Sequence, residues 1–100
     1  MTDWEKIEAR TEEIREIFEK TESELHKIEG DNALLGLILL SKYQTIKPFR
    51  KDVLVGADHD IIYSFSLTEV IELGVTDEDL TELARMNWHI SEYDGLACFV

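Results

Sequence analysis

Asp58-His59-Asp60 is the densest set of side chains in this chain that could hold a cation or move a proton. In an extended segment the two carboxylates point to one side and the imidazole to the other. Paired carboxylates suit a hard cation such as magnesium or calcium. A working site of that kind needs more oxygens in a fixed cage, and no segment has calcium-loop spacing. The same residues also suit a turn, because aspartate bonds nearby backbone amides. Asp58 and Asp60 therefore remain metal-ligand candidates, and no metal or cofactor is assigned.

His89 and Cys98 form a second pair. Asp94-Gly95 is a two-residue turn signal, since both positions of a type I′ turn need positive φ. Folding about it sets Tyr93 opposite Leu96, Ser91 opposite Cys98, Ile90 opposite Phe99 and His89 opposite Val100. His89 and Cys98 then share a face, where an imidazole could activate a thiolate. No glycine-rich oxyanion loop accompanies them, and a strand cysteine ordinarily serves as a small hydrophobe. No catalytic residue is assigned. Phosphate-cradling loops, zinc-finger spacings and serine-hydrolase elbows are absent from the sequence.

These residues need elements to hold them. Residues 1–30 read as one long amphipathic helix, started by the capping-box spacing of Thr2 and Glu5 and stopped by Gly30. Trp4, Ile7, Thr11, Ile14, Phe18, Thr21, Leu25 and Ile28 occupy successive a and d positions of a heptad. Trp4, Ile7, Ile14, Phe18, Leu25 and Ile28 are the interface candidates, for a helix of the same chain or of a second copy. A buried helix follows over 31–44, capped by Asp31 or Asn32 and apolar on nearly every side. That pattern predicts burial on several faces. Pro48 ends it, in a connector carrying Lys47, Arg50 and Lys51.

The period changes in 52–100. Asp52–Val55 and Ile61–Ser66 read as strands around residues 56–60. Ser66 with Glu69 begins a short helix that Gly74 ends, and Thr76 with Asp79 begins another running to about Met86. The closing hairpin places Trp88, Ile90 and Phe99 on one face. The fold class is α+β in a single domain: two N-terminal helices, then a small antiparallel sheet with short crossing helices.

Charge supplies the functional argument. The net charge is −12, and residues 52–100 hold eleven acids against Arg85 alone. Asp77, Glu78 and Asp79 suit the first turn of a helix, where the dipole favours negative charge. An acidic face of Asp58, Asp60, Glu69, Glu72, Asp77, Glu78, Asp79, Glu82 and Glu92 repels nucleic acid and anionic membranes and favours a basic protein. The longest apolar run is too short to span a bilayer. The start of the chain has no basic leader before an apolar stretch, and the single cysteine forms no internal disulfide. A cytoplasmic location follows as the expectation.

Ala57-Asp58-His59-Asp60-Ile61-Ile62-Tyr63, Thr76-Asp77-Glu78-Asp79-Leu80 through Leu83, Asn87-Trp88-His89 and Phe99-Val100 together resemble small bacteriophage and prophage proteins of unassigned function. Asn87 departs from that pattern, where glycine is expected before the tryptophan. The resemblance implies a phage accessory protein and no catalytic residue. The expected function is a non-enzymatic acidic interaction module, engaging a basic, nucleic-acid-binding partner by mimicking phosphate. The alternatives are a self-assembling subunit joined through the first helix, with a dimer favoured, and a divalent-metal-dependent binder or enzyme at Asp58, His59 and Asp60.

Overall fold

A computed structural model of the chain describes residues 2–45 and 53–99. The element order is α1 (Asp3–Lys20), a 3-10 turn (Leu25–Lys27), α2 (Asn32–Ser41), a 3-10 turn (Lys42–Thr45), β1 (Gly56–Asp58), β2 (Ile61–Ser66), α3 (Leu67–Glu72), α4 (Asp77–Arg85), β3 (His89–Ile90) and β4 (Gly95–Phe99). The strands form one antiparallel sheet in the order β1-β2-β4-β3. The architecture is α+β, with N-terminal helices preceding a small antiparallel sheet and short helices.

The first helix is shorter than its heptad pattern predicts. It stops at Lys20, and Thr21 is already extended (φ −88°, ψ 123°). Thr21-Glu22-Ser23-Glu24 explains the stop: threonine and serine are weak helix formers, and two carboxylates would sit at the negative end of the helix dipole. Glu24 instead ties this segment to the end of α4, where its amide donates to the Arg85 carbonyl at 2.7 Å. Leu25 and Ile28 therefore leave the α1 axis. Gly30, at φ 113°, shapes the turn into α2 rather than ending α1. Asp31 caps α2 by accepting from the amides of Ala33 and Leu34.

One core joins all layers: Ile14 from α1, Leu40 from α2, Phe65 from β2, Val70 from α3, Leu80 and Leu83 from α4, and Leu96 and Cys98 from β4. α1 packs across α3 and α4. The expected all-round burial of α2 is not met within the chain. Ala33, Gly36 and Leu40 are buried, but Leu34 and Ile38 are each more than half exposed. Gly36 has a packing reason, since a Cβ there would lie 2.1 to 2.6 Å from three ring atoms of Trp88. The Trp88 indole is 2 % exposed and donates to the Asn32 carbonyl at 3.1 Å.

The local caps follow the expected residues. Ser66 and Glu69 make a complete capping box, and Thr76 accepts from the Asp79 amide. Gly74 (φ 80°) and Asn87 (φ 64°) end α3 and α4 in the left-handed region. Each carries the paired return bonds of a Schellman motif: Val75 to Val70 with Gly74 to Ile71, and Trp88 to Leu83 with Asn87 to Ala84. Asparagine tolerates that conformation better than other non-glycine residues, which accounts for Asn87 where glycine was expected.

Both hairpins differ in detail from the sequence reading. β1 is Gly56–Asp58, and the chain reverses over His59 and Asp60, with His59 at φ 47°. Val53–Val55 lie before the strand, although the Val55 amide donates to the Tyr63 carbonyl at 2.9 Å. The last hairpin does not turn on Asp94-Gly95. Ser91 pairs with Gly95 around the three-residue loop Glu92-Tyr93-Asp94, and Asp94 alone of the two is left-handed (φ 55°). The Ser91 hydroxyl oxygen accepts from the amides of Tyr93 and Gly95, which holds the longer loop. The register becomes His89 with Ala97 and Ile90 with Leu96, three residues away from expectation. An odd shift exchanges faces. His89 and Cys98 thus lie on opposite sides of the sheet, and Phe99 leaves the face of Ile90. Asp52, the connector lysines and arginine, and Val100 lie outside the described residues.

Candidate functional site

The chemical candidates resolve first. Cys98 is fully buried, accepts from the Asn32 side chain at 3.4 Å, and is shielded from His89 by the sheet. Burial, helped by the nearby Asp31 charge, pushes its thiol up to about 11, the reverse of an activated nucleophile. At the β1–β2 turn, His59 Nε2 lies 3.7 Å from the Asp58 carboxylate. Among the described residues, no cluster of three or more histidine, cysteine, aspartate or glutamate side chains could hold a metal ion.

The acids of the second half meet cations from the first. Arg10 of α1 reaches Asp77 at 2.6 Å and also donates to the Val75 carbonyl at 2.9 Å. Arg15 reaches Asp94 at 2.5 Å, and Lys42 pairs with Asp79. Glu82 pairs with Arg85, which also binds Glu24. Asp79 is the most enclosed of these acids. Burial acts to raise its pKa, but hydrogen bonds from Lys42 and Tyr43 prevail and hold it below the usual aspartate range. Glu69 is a cap, Glu72 and Glu78 lie exposed on α3 and α4, and Asp60 and Glu92 lie in turns. No lysine or arginine among the described residues pairs with Asp58, Asp60 or Glu92.

The interface candidates of the first helix divide. Ile14 is fully buried, and Phe18 and Ile28 pack against the core of their own chain. Trp4 is 65 % exposed, and Leu25 is also exposed. Trp4 and Ile7 line a groove of about 630 Å³ between α1 and the start of α3. Its apolar wall is completed by Ala9, Thr11 and Leu67, while Glu5, Glu8 and Glu12 line it from α1. Arg15, the one cation among the described residues that line it, is engaged by Asp94.

No protein-family model, curated protein or solved structure matches this chain. The groove must be read from its own chemistry.

That chemistry is apolar with negative walls. No lysine or arginine among the described residues pairs with Glu5, Glu8 or Glu12, and their offsets of three and four place them along one side of α1. The acidic surface expected from charge counted along the sequence lies in residues 52–100, which leaves these three out. The available signal was their interleaving with Trp4, Ile7 and Thr11. Thr11 is itself accommodated in mid-helix by donating to the Ile7 carbonyl at 2.8 Å. No helix among the described residues is long and apolar enough to cross a membrane.

Proposed function

We propose that this chain is a non-enzymatic protein-interaction module that binds a basic partner, and that the α1–α3 groove is its primary contact. The observation that carries this reading is the exposed Trp4 indole beside an apolar wall and three carboxylates with no paired base among the described residues. Exposed aromatic residues anchor interfaces, and charge complementarity selects the partner. A basic amphipathic helix fits best: its apolar stripe meets Ile7 and Leu67 while its lysines meet Glu5, Glu8 and Glu12. The sequence resemblance supports a phage accessory protein acting on a host nucleic-acid-binding protein. The ion pairs to Arg10 and Lys42 engage Asp77 and Asp79 of α4, so phosphate mimicry is better placed on α1.

Calorimetric titration with a synthetic lysine-leucine amphipathic helix tests this. Binding is expected to weaken from low to high salt, and to fall roughly tenfold or more in Trp4→Ala and in Glu8→Lys. Salt-independent binding, or full affinity in both variants, would sink the reading. Both positions are exposed, so neither substitution threatens the fold.

A second reading, self-association, is favoured by α2 rather than by the first helix. Ile14, the middle of the heptad seam, is already enclosed in its own chain. Leu34 and Ile38, one turn apart, are exposed, and Ile38 shares a shallow apolar groove with Leu37, Val53 and Leu54. Sedimentation over a concentration series should show a dimer that Ile38→Glu dissociates. A wild-type monomer at high concentration would exclude it.

A further inference from the structure

The sheet has one face on the hydrophobic core and another that carries exposed aromatic rings. Cross-strand partners share a face. Ile62 with Cys98, and Ile90 with Leu96, belong to the core side. The other side carries a row across all four strands, Gly56–Tyr63–Ala97–His89, and beside it a row Asp58–Ile61–Phe99.

The outer side is aromatic. His89 and Phe99 stack at 4.8 Å and 19°, and Tyr93, from the β3–β4 loop, meets Tyr63 edge-on at 6.4 Å. Ala97 is fully buried although it belongs to this side. The tops of the rings remain open: Tyr93 is 74 % exposed and Phe99 55 %. Burial holds the His89 imidazole below its usual pKa, which favours the neutral ring.

The rim is negative. Asp58 stands in the outer rows, and Glu92 adjoins Tyr93. Both carboxylates act on the same ring: the Tyr93 hydroxyl is pushed up first by the Glu92 charge and its hydrogen bond, then by Tyr63 and, more weakly, by Asp58. His59 lies beside Asp58, with Nε2 3.7 Å from its carboxylate.

We propose that this outer face receives an arginine side chain from an extended basic segment, the guanidinium stacking on the Tyr93–Tyr63 and Phe99 rings and pairing with Asp58 and Glu92. Arginine is the occupant that matches both features. Its planar cation stacks on aromatic faces and forks onto carboxylates, whereas lysine offers only a point charge. A nucleic-acid strand would find rings to stack on but, among the described residues, no lysine or arginine in these rows for its phosphates, within a chain of net charge −12. A second copy would set one acidic rim against another.

This inference rests on the reading of the chain as a binder of basic partners, but it uses a surface separate from the α1–α3 groove. The test is titration of the full chain with a short blocked peptide containing arginine, and with the same peptide carrying lysine or citrulline instead. The arginine peptide should bind, lysine should bind several-fold more weakly, and citrulline, the uncharged isostere, should not bind detectably. Tyr93→Ala and Asp58→Asn should each weaken arginine binding roughly threefold to tenfold, while Trp4→Ala and Glu8→Lys leave it unchanged. Equal binding of arginine and citrulline, or no binding of arginine, overturns the inference. If arginine binding is lost in the groove variants but kept in the sheet variants, the sheet inference fails and the groove reading stands. If the sheet variants weaken arginine binding while the lysine-leucine helix does not bind at all, the sheet inference stands and the groove reading fails.

Discussion

Tyr43, Asp79 and Lys42 form a contact that no local pattern announces. Tyr43 is buried to 3 % exposure, its hydroxyl donates to the Asp79 carboxylate, and it accepts from the Thr76 amide at 3.3 Å. Asp79→Ala removes the acceptor from a buried hydroxyl and the partner from Lys42, and should cost about 1–3 kcal/mol in denaturant unfolding. The pH dependence has a definite sign. A carboxyl whose pKa is lower in the folded than in the unfolded chain adds stability above the unfolded value, about 3.9. That stability is lost as pH falls through the folded value. Stability against pH measured on Asp79→Asn should therefore lack part of the acid loss seen in wild type. Identical acid limbs would show that the pair contributes nothing. The sequence does identify Asp79 as a residue of a helix first turn, which it is. It does not show Tyr43, thirty-six positions away, because that meeting depends on how α2 and α4 dock.

Among the elements, legibility followed the range of the forces involved. Ser66, Glu69, Gly74 and Thr76 act within a few residues of themselves, and each does what its type predicts. The heptad carried the first helix too far, because Leu25 and Ile28 keep the apolar period after the backbone has turned at Thr21. The last hairpin went wrong for a related reason. Asp94-Gly95 is a strong dipeptide signal, but the Ser91 hydroxyl and the burial of Leu96 and Cys98 select another register. α2 shows the same competition in its glycine. A helix interior ordinarily disfavours glycine relative to alanine by roughly 1 kcal/mol. Gly36→Ala should nonetheless destabilise, by about 1–3 kcal/mol or more, because the added methyl would overlap a buried indole. Thermal melting checks this, and a raised midpoint would mean that Trp88 can move aside.

At the level of the whole molecule, the two halves of the chain are joined by charge as well as by the core. Arg10, Arg15 and Lys42 meet Asp77, Asp94 and Asp79 across the fold. Exposed ion pairs contribute at most about 1 kcal/mol each, and pairing leaves the net charge of −12 unchanged. Self-repulsion should therefore outweigh the screening of the pairs, and added monovalent salt should raise the melting midpoint. A falling midpoint would instead assign the larger share to the pairs. Charge blocks counted along the chain overstated the isolation of the acidic half, since partners distant in sequence cannot be counted that way. The aromatic sheet face was hidden for the same reason, because Tyr63, Ala97 and His89 form a row only in the observed register.

The chain has two tryptophans, and they report on different events. Trp88 is sealed beneath Gly36, so its emission should be blue-shifted and insensitive to dissolved quenchers until the domain opens. Trp4 stands in water beside Glu5 and Glu8, so caesium should quench it more efficiently than iodide, which those carboxylates repel. One emission spectrum then carries a folding signal and a groove-occupancy signal at separate wavelengths, with no label attached.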